Sequence, residues 1–306
     1  MTEGVAMLET SICGLKMKNP LVLASGIRGN SAHLLIRAAK EGAGAVTSKS
    51  CSLLPREGHS NPTMVDKNGV MLNAIGLSNP GVEEEITEIS YAVKDAGVPI
   101  IASIVAFSVE DFAKVAERIS EAAPHMIEVD AACPNTHSEG RMFSACVKDA
   151  VAVTKAVRKA TKIPFSIKLS PDVPNIGQIA KACVDEGADC ITAINTVGGM
   201  YIDAYAKKAV LHNWFGGISG PAIKPVALKS VYSIRQAVGP KVPIIGTGGV
   251  ANGMDAIEMI MAGATAVGVG SALVLREKAF SGIADEMRAF MEENGYSGLS
   301  QLKLEK

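Results

Sequence analysis

The sequence has no apolar run approaching the ~20 residues that cross a bilayer as a helix. Its start, with Glu3 and Glu9 among apolar residues, lacks the basic opening and long apolar core of a secretory leader. A soluble chain is expected, with no membrane partner. Neither charge is in excess: 30 basic residues stand against 31 acidic ones, for a net charge of -1. That leaves no field to attract nucleic acid or an anionic surface, and it points to a small-molecule ligand. Six cysteines (Cys13, Cys51, Cys133, Cys146, Cys183 and Cys190) are scattered without a C-x-x-C pair. No metal centre or iron–sulfur cluster is expected, and the cytoplasm suits them. Cys51, Cys146, Cys183 and Cys190 are expected to pack in an outer layer or in loops. No repeat, linker or low-complexity tract interrupts the 306 residues, so a single domain over 1–306 is expected.

What the sequence does have is alternation. Apolar, β-branched runs at 21–24, 44–47, 99–105, 125–130, 164–169, 189–194, 243–245 and 265–269 read as strands. Helical patterns at 31–41, 82–96, 109–122, 145–161, 176–186, 222–238 and 253–262 follow them in turn, and Gly270-Ser271 opens another helix. Eight such pairs predict an α/β fold, a (β/α)8 TIM barrel, rather than a doubly wound open sheet. Polar insertions follow strand 2 (51–80) and strand 6 (197–221), the second holding the only tryptophan, Trp214. A dinucleotide fold would carry its glycine-rich turn after the first strand. Here Gly246-Thr247-Gly248-Gly249 and Gly270-Ser271 follow strands seven and eight, where barrels bind phosphate on backbone N–H groups.

The chain is organised around Ile127-Glu128-Val129-Asp130-Ala131-Ala132-Cys133-Pro134-Asn135, an apolar strand that ends abruptly in a thiol, a proline and an amide. A cysteine at a barrel strand's carboxyl end is a candidate nucleophile or base if a cation poises its thiolate, and otherwise a small buried thiol. The other strand ends contribute Ser25, Lys49, Ser50, Ser103, Lys168, Asn195 and Thr196. Asn135 and Asn195 each offer a donor and an acceptor, which suits a flat heterocycle with alternating C=O and N–H edges. Lys49 and Lys168 are expected to face anions, since a lysine is costly to bury without one.

With the insertion segment Met71-Leu72-Asn73-Ala74-Ile75-Gly76-Leu77-Ser78-Asn79-Pro80, the chain resembles the class 1 dihydroorotate dehydrogenases, most closely the class 1B and archaeal type. Ala24-Ser25-Gly26, Thr47-Ser48-Lys49-Ser50, Pro55-Arg56-Glu57-Gly58, Cys133-Pro134-Asn135, Ile167-Lys168-Leu169, Ile194-Asn195-Thr196, Ser219-Gly220-Pro221-Ala222 and Thr247-Gly248-Gly249-Val250 carry the resemblance across nearly the whole chain. It implies an FMN-dependent barrel of pyrimidine biosynthesis. Cys133 would take the C5 proton of dihydroorotate while the C6 hydride passes to N5 of FMN. Asn73, Asn135, Asn195 and Thr196 would bind the pyrimidine, and Lys49 would lie near both flavin and substrate. Lys168 would bind the flavin, with Ala24, Ser25, Gly26, Ser50, Ser103, Ile194 and Gly220 around it and Gly248, Gly249, Gly270 and Ser271 at its phosphate. Membrane-associated class 2 enzymes carry an amphipathic extension and use Ser where this chain has Cys133. The sequence has no nicotinamide fingerprint or cysteine cluster to carry electrons onward. A class 1B chain would pass them to a partner subunit with FAD and an iron–sulfur cluster, in a heterotetramer; a class 1A dimer would reduce fumarate.

Three positions depart from the family pattern: Asp130 stands for a substrate-binding Asn, Ala132 for Ser, and Ser103 for an Asn near the flavin. An ionised Asp130 can only accept hydrogen bonds. It would also repel anionic orotate by about 4 kcal/mol at ~4 Å and an effective dielectric of ~20, roughly three decades in affinity. Either Asp130 is neutralised, by protonation or by Lys49 or Lys168, or the substrate is another ring. The alternatives are an FMN-dependent reductase of a uracil-like ring, a flavin-free phosphate-binding lyase or isomerase with Lys168 as Schiff base, and a non-catalytic paralogue.

Overall fold

The computed structural model describes residues 7–132 and 142–305; Cys133 and Asn135 lie outside the described residues. Eight parallel strands close into a barrel in sequence order. They are β1 (Leu21–Leu23), β2 (Ala45–Thr47), β3 (Ile100–Ile104), β4 (Met126–Asp130), β5 (Phe165–Leu169), β6 (Cys190–Ala193), β7 (Ile244–Thr247) and β8 (Ala266–Val269). The flanking helices are α1 (Ala32–Lys40), α2 (Val82–Asp95), α3 (Val109–Ser120), α4 (Val147–Ala160), α5 (Ile176–Asp185), α6 (Lys224–Val238), α7 (Gly253–Met261) and α8 (Ala279–Glu293). Ser108, Asn175 and Asn252 begin α3, α5 and α7 by accepting from the third residue's N–H, each at 3.0 Å. The (β/α)8 expectation is met.

Because side chains alternate along a strand, each barrel strand feeds two different interiors. Ile127 and Val129 of β4, with Ile167 and Leu169 of β5, pack outward into the large apolar layer beneath the helices. The alternate residues point into the lumen, and their character changes along the barrel axis. At the amino-terminal end Val22, Ala45, Ile101, Met126, Cys190, Ile245 and Ala266 form a separate apolar cluster. Above it Thr192 donates to Ser166 at 3.0 Å. Above that stand Glu128, Asp130 and Lys168, on strands whose register sets Glu128 against Ser166 and Asp130 against Lys168. The charged groups therefore gather at the carboxyl end.

Two features were not legible locally. The segments Thr10–Ile12 and Leu15–Met17 pair as an antiparallel hairpin through a Cys13-Gly14 turn with φ of 50° and 80°, the geometry of a tight two-residue turn. Its Ile12 and Met17 plug the amino-terminal end of the lumen. The two insertions also combine into one antiparallel sheet, ordered Val197–Gly199, Gly216–Ser219, Val70–Asn73, Met64–Lys67. The helix expected to open at Gly270-Ser271 is a single turn, Ala272–Leu275, before α8. The cysteine expectation needs correcting: Cys190 lies in the lumen cluster rather than in an outer layer or loop, because it occupies an inward position at the start of β6. No helix among the described residues is long and apolar enough to cross a membrane.

One buried group sits in tension with this packing. Glu85, in the first turn of α2, is only 2% exposed. Burial pushes its carboxyl up to about 7; a hydrogen bond with Ser48 pulls it partly back, and Glu88 and Glu84 push it further up. A carboxyl raised on folding makes the folded state hold the extra proton. Stability is therefore complete below the ordinary carboxylate range and is lost as pH rises through about 7, by up to ~3 kcal/mol. Glu85→Gln removes that dependence. Urea unfolding should show the variant gaining ~1–3 kcal/mol over the native chain at pH 8 relative to their difference at pH 4; a difference that does not vary with pH would contradict this.

Candidate active site

Lys168 is the centre of the carboxyl-end layer. Its Nζ donates to Ser25 Oγ at 2.7 Å, just past β1, and pairs with Glu128 Oε1 at 3.4 Å. The same Glu128 oxygen accepts from Ser103 Oγ at 3.3 Å, and Ser103 and Ser50 hydroxyls meet at 2.9 Å. A continuous polar chain, Ser50–Ser103–Glu128–Lys168–Ser25, therefore crosses the lumen from the end of β2 through β3, β4 and β5 to the end of β1. Lys168 does face an anion, as expected.

Asp130, 6% exposed, stands one pleat above Glu128. Its Oδ1 accepts from Ala132 N at 3.1 Å and Asn195 Nδ2 at 3.4 Å. Burial pushes its carboxyl up, Glu128 adds to that, and Lys168, the Ala132 N–H and Lys49 pull it down, with a net rise. The group is thereby biased toward the neutral acid. Asn195 is held on its other side by Thr196 N, which donates to Asn195 Oδ1 at 2.8 Å, while its own N–H donates to Leu169 O at 2.9 Å. The insertion sheet reaches this point too. Asn73 pairs with Gly217 in register and donates to its carbonyl at 3.3 Å. A Cβ on Gly217 would fall 1.9 Å from Thr196 Oγ1, so the sheet rests directly on that residue. Asn73, Thr196, Asn195 and Asp130 thus form one connected wall. Lys49 is half-buried at the end of β2, its N–H donating to Gly29 O at 2.9 Å.

The glycines divide into two kinds. Gly248 and Gly249, with φ of 131° and 75°, let the chain after β7 turn hard against α6: a Cβ on Gly249 would lie 2.7 Å from Lys224 N. Gly248 similarly touches Ala227, with Ile194 beside it, and Ile194 N donates to Thr247 O at 2.8 Å. The Ala193–Ile194 peptide is cis. Gly220, φ 94°, backs onto Gly69 O of the insertion hairpin. Gly26 and Gly270 differ, because their Cβ directions are open. A Cβ on Gly26 meets nothing within 4 Å, and one on Gly270 meets only Ala24 Cβ at 3.6 Å. Ser271 follows Gly270, and Ala24 N donates to Val269 O at 3.0 Å, which ties these two strand ends together. Open space therefore lies beside Gly26 and Gly270, where the ends of β1 and β8 meet.

Of the expected residues, Asn73, Asp130, Asn195 and Thr196 form a polar wall beside Lys168, and Ser25 links Lys168 to an open cradle at Gly26 and Gly270, while Gly220, Gly248 and Gly249 pack against neighbouring chain. Cys133 and Asn135 are outside the described residues. Glu128 escaped the sequence reading; the available signal was its position, two residues before Asp130 in a strand and therefore on the same face. Among the described residues no group of three or more His, Cys, Asp or Glu is placed to hold a metal ion.

A parallel barrel that gathers its charged and amide side chains at the strands' carboxyl ends is the architecture of a barrel enzyme. A family model for dihydroorotate dehydrogenase matches residues 7–291, and the chain belongs to that family. It is similar to the protein named dihydroorotate dehydrogenase B (NAD(+)), catalytic subunit, of Methanocaldococcus jannaschii, 47% identical over 294 residues and 95% of each chain. Proteins of the same name from Pyrococcus abyssi, 40% identical over 297 residues (97% of this chain, 98% of the relative), and Geotalea uraniireducens, 39% over 297 residues (96% of each), match at similar length.

Gly270→Ala tests the cradle without disturbing the fold, because the added methyl meets only ordinary contact. Its melting behaviour should match the native chain within about 0.5 kcal/mol. Its affinity for flavin, measured by fluorescence titration, should fall at least about tenfold (1.4 kcal/mol). Unchanged affinity would remove the cradle from the site.

Proposed function

We propose that this chain oxidises dihydroorotate to orotate, and that residues 1–306 act as a single FMN-binding domain. The observation that carries the reading is the joined wall of Asn73, Asp130, Asn195 and Thr196 beside the Lys168 layer, in a chain of this family. Bound FMN supplies the acceptor for the hydride that leaves C6 of the substrate. Lys168 binds the flavin, with Ala24, Ser25, Gly26, Ser50, Ser103, Ile194 and Gly220 around it, and Gly248, Gly249, Gly270 and Ser271 take its phosphate. Asn73, Asn135, Asn195 and Thr196 hold the pyrimidine by matching its alternating donors and acceptors. Cys133 removes the C5 proton, for which a thiol needs only modest activation near neutral pH. Lys49, whose cation lies close enough to Asp130 to favour its charged form, faces the substrate's negative charge. Relatives named as NAD(+)-linked catalytic subunits support a partner subunit carrying FAD and an iron–sulfur cluster as the route for electrons, in a cytoplasmic heterotetramer. A catalytic dimer reducing fumarate is the reading that such a partner's absence would favour.

Asp130 is compatible with an anionic substrate when it is protonated. Its Oδ1 already accepts two N–H donors, as an amide oxygen would. A proton on Oδ2 then supplies the donor that an Asn would present, with no like-charge repulsion. The sign follows: below its raised pKa the group is neutral and binding is tight, and as pH rises through that value the carboxylate forms and KM climbs. Asp130→Asn should flatten this climb, so that the ratio of native to variant KM for dihydroorotate grows with rising pH, by about tenfold (1.4 kcal/mol) over the full climb. Steady-state KM profiles across pH 5 to 9 check it. Loss of dihydroorotate turnover in the Asn variant would point to a substrate with a donor or cation at that edge.

A further inference from the structure

Glu128 has no part in the chemistry proposed so far, yet it occupies the most enclosed position in the charged layer. Its side chain is 4% exposed and that of its partner Lys168 is 7% exposed. Among the described residues Asp130, on the same strand, and Lys49, beyond β2, are further charged groups facing this layer, and Ser103, Ser50, Ser25, Ser166 and Thr192 add neutral hydroxyls. Glu128 is in salt-bridge contact with Lys168 and accepts a hydrogen bond from Ser103. A buried lysine without such a partner would be strongly disfavoured. The same pairing also sets how much positive charge Lys168 presents to whatever binds above it.

We infer that Glu128 is a positioning residue that sets the redox balance of the flavin: by holding and partly neutralising Lys168, it restrains that lysine's preference for reduced over oxidised FMN. This inference rests on the proposed flavin site. A reduced flavin carries more negative charge than an oxidised one, so an uncompensated ammonium beside it binds the reduced form more tightly. Ser25 fixes the direction of Nζ, and Glu128 fixes its charge environment.

The test is an anaerobic redox titration of the FMN-loaded chain, native and Glu128→Gln, with the affinity for oxidised FMN measured separately. The Gln variant should show a reduced-to-oxidised affinity ratio about tenfold higher, equivalent to ~30 mV in a two-electron couple. Glu128→Asp, which keeps the charge but withdraws it by one methylene, should shift in the same direction by less. It carries the test alone if the Gln variant does not fold or retain flavin. Potentials equal to native in a flavin-loaded variant, whatever its loss of stability, overturn the inference and leave the flavin site standing. A native chain that binds no FMN overturns both.

Discussion

The ion pair between Lys168 and Glu128 is the constraint around which the barrel is arranged. Two opposite charges inside a protein are tolerated only with close geometry and further hydrogen bonds, and here Ser25, just past β1, and Ser103, on β3, supply them, with Ser50 bonded to Ser103 behind. The pair therefore ties β1, β3, β4 and β5 to one arrangement. It also dictates the rest of the lumen: water is kept from below by an apolar cluster and the hairpin that plugs it, while the upper side is left to polar groups and ligand. The order apolar, hydroxyl, charged along the axis gives the barrel a closed end and a chemical end.

The same arrangement bears on Asp130, where the resemblance to the family implies an Asn. A carboxyl placed one pleat above Glu128 is pushed toward its neutral form by burial and by that neighbour, and pulled back by two lysines. A neutral acid whose one oxygen accepts two N–H bonds has the hydrogen-bonding pattern of the amide it replaces. A carboxyl at this position presents a donor that depends on pH, within the wall that Asn195, Thr196 and Asn73 complete.

Much of the fold was legible because barrel strands and helices announce themselves locally. Runs such as Ile100–Ile104 and Ala266–Val269 are mostly apolar because both of their faces are buried, and a helical pattern follows each strand in turn. What escaped depends on pairings distant in sequence. The Asn73–Gly217 register joins segments 144 residues apart, and no local pattern encodes it. The hairpin Thr10–Ile12 with Leu15–Met17 is too short to show a period. At the site, Lys168, Asn195 and the glycines stood out by residue type and place. Glu128 did not, because a charged residue inside an apolar run reveals its partner only when the parallel register sets β4 beside β5.

The central claim is that this barrel takes a hydride from dihydroorotate onto a flavin it holds itself. The most direct measurement is to purify the chain alone, record its visible spectrum, and add dihydroorotate without oxygen. Bleaching of the bound flavin with formation of orotate is the predicted result, and it needs no partner subunit. A bound flavin that stays oxidised would contradict the substrate assignment, and a colourless protein that cannot be loaded with FMN would contradict the account at its root.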